Sequence, residues 1–101
     1  MQNQALLKRA VDRIKEDHAA LSPEAVICLI LIISNPGQTV GKIAVAAGLT
    51  EPLAYRFIAE LQKLDLVSLA NVGNGANEVT LSAKGEELAE QVNAAILEGG
   101  G

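Results

Sequence analysis

The chain has 101 residues, 8 basic and 12 acidic, with a formal net charge of −4, which is the size of one domain built around one core. Half of its residues are apolar and a fifth are charged, a folding composition rather than a disordered one. One Cys and one His exclude a disulfide framework and any multi-thiolate or His-pair metal site, and leave little for acid–base catalysis. Leu7, Val11, Ile14 and His18 recur at helical spacing, and Leu6 and Ala10 widen the stripe. This predicts an amphipathic helix over about residues 3–18. The segment carries no apolar signal-peptide core. The longest apolar run, Ala25 to Ile33, is too short to cross a bilayer, so the expectation is a soluble, cytoplasmic protein with no membrane partner.

Ser22-Pro23-Glu24 begins a second helix: Ser is a good N-cap, Pro suits the first helical position, and Glu favours the positive end of the dipole. The run that follows is apolar on every side, which predicts a central, buried helix ended by Asn35-Pro36-Gly37. Thr39 caps a short helix through Ala47, and Gly48 stops it. Thr50 caps the next helix, which reaches about Asp65 and sets Ala54, Phe57, Ile58 and Leu61 on one face. Leu66 to Ala70 and Glu78 to Leu81 read as short strands. Between them lies Asn71 to Asn77 with its Asn-Gly pair, a strong hairpin signal. Ser82 caps a last helix with Gly85, Leu88, Val92 and Ile96 as its apolar stripe, and the final glycines from residue 99 to 101 are expected to form a disordered tail. Residues 1–98 then make a single domain. Its predicted class is α+β, mostly helical: a winged helix-turn-helix with a small β-hairpin wing and terminal dimerisation helices.

The stretch from Val40 to Leu61 carries the specific signal. Two helices that cross steeply need a small residue at the contact and a tight turn between them. Ala44 supplies the contact, Gly48 the turn, and Ile43, Ala47, Leu49, Ala54 and Phe57 the locking apolar positions. This spacing, extended by Leu64-Asp65-Leu66-Val67, a hairpin, and Leu81-Ser82-Ala83-Lys84-Gly85, resembles the MarR family of winged-helix regulators over roughly Leu21 to Leu88. The resemblance implies a homodimer clasped by the first and last helices, one recognition helix per subunit in the major groove of double-stranded DNA, and in many members release of DNA when a small-molecule effector binds. Two departures stand out. That family's wing usually carries Arg or Lys near its tip, and Asn71 to Asn77 has neither. The chain is also shorter than most members.

With Ala54 set toward the core and 100° per residue, the opposite face of the 50–65 helix presents Pro52, Tyr55, Arg56, Ala59 and Lys63. Arg56 has the reach for a guanine edge or a phosphate. Tyr55 can donate its hydroxyl to a phosphate or lay its ring on a thymine methyl. Thr50 marks a helix N-terminus suited to a phosphate, and Lys42 can meet the flanking backbone. Asn71, Asn74 and Asn77 offer neutral hydrogen bonds from the wing. A plainer reading stands beside each: Arg56, Lys63 and Lys42 as a solvated face, Tyr55 as a packing residue, and the asparagines as turn formers.

Residues 39–82 carry three basic and four acidic side chains, and acidity concentrates after Ala83, so DNA binding is expected to be modest and salt-sensitive. The apolar stripes of the terminal helices exceed what so small a core can bury. A symmetric interface is therefore expected at Leu6, Leu7, Ala10, Val11, Ile14, Leu88, Val92 and Ile96. Cys28 reads as a buried structural thiol and His18 as a helix-end or interface residue. No catalytic residue, metal site or cofactor is expected, and the protein is not expected to be an enzyme. The expected function is that of a homodimeric, MarR-like DNA-binding regulator of transcription. The alternatives are a winged-helix module that binds protein instead of DNA, and an accessory DNA-binding protein of plasmid partition or replication.

Overall fold

The computed structural model describes residues 2–73 and 75–100, with side chains over 7–73 and 75–97. In chain order the elements are α1 (Gln2–Asp17), α2 (Pro23–Ser34), α3 (Val40–Ala47), α4 (Glu51–Lys63), β1 (Val67–Asn71), β2 (Asn77–Leu81) and α5 (Ala83–Gly100). The mostly helical α+β order expected from the sequence is the order observed. Each of the three predicted caps acts as one. Ser22, Thr39 and Thr50 have extended backbones, and their hydroxyls accept from the amides of Ala25, Lys42 and Leu53. Each satisfies one of the amides a helix start leaves without an internal partner.

α2 is the hub. It packs against α1, α3, α4 and β2, and Ala25, Val26, Cys28, Leu29 and Ile32 are buried within it. This explains its lack of a polar face: a helix surrounded by neighbours needs none. Ile14, Ile43, Ile58, Leu61, Leu66 and Val79 complete the core around it, all fully buried. With two aromatic residues in the chain, Leu, Ile, Val and Ala fill the interior.

β1 and β2 pair antiparallel from Val67 opposite Leu81 to Asn71 opposite Asn77. A third backbone segment joins them, which the sequence reading treated only as a helix stop and a cap. Gly37 donates to the Val79 carbonyl at 3.0 Å, Val79 donates to the Gln38 carbonyl at 2.8 Å, and Thr39 bridges to Glu78. Thr39 thus pairs with the wing while capping α3.

The junction from α4 into the wing turns on Asp65, the one non-glycine with positive φ (60°) among the described residues. Ser82 closes the same corner from the other side. Its hydroxyl donates to the Asp65 carbonyl and accepts from the Gly85 amide at 3.0 Å, and its amide donates to the Leu66 carbonyl at 3.0 Å. Gly85 lies so near that a Cβ there would overlap the Leu66 carbonyl oxygen. The Ser-Ala-Lys-Gly sequence is therefore a cap and a close approach in one.

α1 and α5 pack along each other, and Arg13 Nη2 donates to Gln91 Oε1 across them at 2.6 Å. This contact corrects the expected interface. Ala10, Ile14, Leu88 and Val92 are 0–4% exposed because each helix covers the stripe of the other within one subunit. Val11 and Ile96 are partly buried against the same core, and Leu7 stays 48% exposed. The side chain of Leu6 lies outside the described residues. The expected tail also differs in its bounds: α5 continues through Gly99 and Gly100, and residue 101 lies outside the described residues.

Candidate nucleic-acid interface

α3 and α4 are joined by three residues, Gly48 to Thr50. Gly48 takes the left-handed conformation, φ 72° and ψ 29°, which a side chain disfavours and glycine does not. Its amide donates to the Val45 carbonyl at 3.2 Å and that of Leu49 to the Ala44 carbonyl at 2.8 Å, so the end of α3 is closed before α4 begins. Ala44, 3% exposed, is the small residue at the crossing. The pair buries Ile43, Ala54 and Ile58 and presents the outer side of α4 to solvent.

That outer side is a stripe of Pro52, Arg56, Ala59 and Lys63, all exposed. Two observations give it a sign. Arg56 and Lys63 make no ion pair among the described residues; the salt bridges there belong to Arg13, with Glu16 and Asp17. Of the two acidic residues of α4, Glu60 is held elsewhere and Glu51 stands exposed at its start. Glu60 accepts from the Ser22 amide at 2.8 Å and from its hydroxyl at 3.1 Å, clamping the start of α2. Glu51 lies against Gly41 of α3, within 2.9 Å of where a Cβ would stand. The segment as a whole has a slight acidic excess, yet its projecting stripe carries only positive charge.

Lys42 is exposed on α3, next to the Thr39 cap. Thr50 is exposed at the start of α4, its hydroxyl 3.4 Å from the Leu53 amide. Lys63 sits at the far end of the stripe, where it lines a cleft of about 300 Å³ with His18, Leu21, Glu60 and Leu64. Tyr55 is half-buried and packed against the core, and its hydroxyl oxygen accepts from Asn77 Nδ2 at 2.8 Å.

The wing asparagines behave differently from a row of free donors. Asn71 Oδ1 accepts from the Gly73 amide at 2.8 Å, closing an Asx turn. Asn77 Nδ2 donates to the Tyr55 hydroxyl oxygen. Asn74 lies outside the described residues. The structure thus brings Lys42, Thr50, Pro52, Tyr55 and Arg56 together on the helix-turn-helix and its border with the wing. Two side-chain contacts here escaped the sequence reading: the Glu60 clamp and the Asn77–Tyr55 contact. Both join residues more than 20 positions apart, and no local pattern announces them.

Cys28 has no exposed surface; burial, with a smaller contribution from the Glu24 carboxylate, pushes its thiol up to about 11, so it stays protonated near neutrality. No group of three or more metal-ligating side chains converges among the described residues, and no helix there is long and apolar enough to cross a membrane.

No protein-family model and no curated protein matches the sequence. Solved structures match its shape. Rv1404 from Mycobacterium tuberculosis superposes with a TM-score of 0.76 at 12% identity, over 94% of this chain and 66% of that one. MepR, a transcription regulator of the Staphylococcus aureus multidrug efflux pump MepA, gives 0.73 at 17% identity, over 95% and 71%. Staphylococcus aureus MarR, solved with salicylate and kanamycin, gives 0.68 at 24% identity, over 87% and 59%. The chain therefore spans roughly two thirds of the length of these structures.

Proposed function

Starting from a MarR-like winged-helix fold, we propose that the protein is a homodimeric DNA-binding regulator of transcription that places α4 in the major groove. The observation that carries this reading is the α4 stripe: Arg56 and Lys63 project and make no ion pair among the described residues, while the Glu60 carboxylate is held by Ser22. Unpaired cations on a projecting helix are what a phosphate backbone and a guanine edge require. Arg56 reads a base or grips a phosphate, Lys42 and the Thr50 end of α4 hold flanking phosphates, and Pro52 and Tyr55 border the groove. Lys63 extends the positive stripe, and Asn74 adds a neutral contact from the wing. No cofactor or enzymatic step enters this reading, and the protein works in the cytoplasm.

Fluorescence anisotropy against duplex DNA over a salt series tests it. With two or three phosphate contacts per subunit, the logarithm of affinity falls with that of salt at a slope of about −4 to −5 for a dimer. Arg56→Ala combined with Lys42→Ala lowers affinity at least about tenfold at low salt and flattens the slope by about 2 to 4. Absence of binding at low salt, or binding indifferent to the double substitution, sinks the proposal.

A further inference from the structure

We propose that Asn77 is a positioning residue of this interface: by donating to the Tyr55 hydroxyl oxygen, it leaves the hydroxyl proton directed outward to a DNA phosphate. The inference rests on the DNA-binding reading above. Tyr55 comes from α4 and Asn77 from the first position of β2, so their 2.8 Å hydrogen bond spans the seam between recognition helix and wing. A phenol oxygen that accepts from a carboxamide N–H cannot give its own proton back to the same group. The proton must point elsewhere, and accepting one hydrogen bond makes the O–H a stronger donor for the next.

Both partners are held. The Tyr55 ring packs against the core. Asn77 is paired with Asn71 across the hairpin, one residue before the Thr39 bridge at Glu78. The arrangement also gives a wing without Lys or Arg from Asn71 to Asn77 a part in recognition. It acts through orientation of a neighbour on α4 and adds no charge of its own.

A double-substitution cycle of Asn77→Ala and Tyr55→Phe, read by DNA anisotropy, tests this. Tyr55→Phe lowers affinity at least about tenfold, the range of one hydrogen bond to a charged phosphate, and Asn77→Ala about three- to tenfold. The double variant is no weaker than Tyr55→Phe alone. Both leave the salt slope unchanged, because a hydroxyl releases no counterion. Asn77→Asp, which keeps the shape but accepts the hydroxyl proton, loses at least as much affinity as Tyr55→Phe with an unaltered melting temperature. Tyr55 is the sole tyrosine in a chain without tryptophan, so its emission reports the contact without DNA and shifts in Asn77→Ala. Additive losses, unaltered emission, or full affinity in Asn77→Asp overturn the assignment while DNA binding stands. Wild-type protein that binds no duplex at low salt overturns the DNA-binding reading and the assignment with it.

Discussion

Gly85 shows how much one residue can decide. The sequence places it in the apolar stripe of the last helix, ahead of Leu88 and Val92. It does not reveal that the Leu66 carbonyl occupies the space where a Cβ would stand. A side chain here meets backbone that is itself tied to Ser82, so it cannot be relieved by a rotamer change. Gly85→Ala is expected to lower stability by about 2 kcal/mol, within the usual range for overpacking, and the melting temperature by about 8–16 °C. A melt within 2 °C or so of wild type refutes the close approach. Gly48 was legible from sequence for the opposite reason: its need is for a left-handed backbone between two helices, a purely local demand.

Among the elements, what was legible divides by range. The helix starts at Ser22, Thr39 and Thr50 were visible because a cap and its amide lie three residues apart. The backbone pairing of Gly37 to Thr39 was not, because its partner in β2 lies about 40 residues on and its own sequence signals only a helix end. The Glu60 clamp on α2 was hidden likewise. In the sequence Glu60 enters only as one of four acidic side chains of residues 39–82, yet the carboxylate receives two hydrogen bonds from Ser22. Replacing the charge weakens bonds of the charge-assisted kind. Glu60→Gln is therefore expected to cost about 1–2 kcal/mol in urea unfolding and to speed hydrogen exchange at the Ser22 amide. An unprotected Ser22 amide in the wild type contradicts the clamp.

At the scale of the whole molecule, α1 and α5 carry the question of assembly. An amphipathic stripe shows that a helix needs a partner, not which one. Four of the eight expected interface residues face their partner helix within the subunit. Of the expected interface, Leu7 remains 48% exposed and Val11 and Ile96 partly buried; these, joined by Leu97, 76% exposed on α5, are the surface a second copy would cover. Light scattering after gel filtration is expected to give twice the 10.5 kDa of one chain. Leu7→Asp with Leu97→Asp is expected to give the single mass and to weaken DNA binding with it. A wild-type mass near 10.5 kDa at micromolar concentration rules the dimer out.

The pairing of Gly37 to Thr39 with β2 separates the wing's foundation from its summit. The hairpin is secured at its root by three backbone segments, while Val72, Gly73 and Gly75 stand exposed at the top, beyond any contact the core depends on. That leaves the tip an exchangeable cassette. Its length and charge can drift, or be rewritten by design, without asking the rest of the chain to refold.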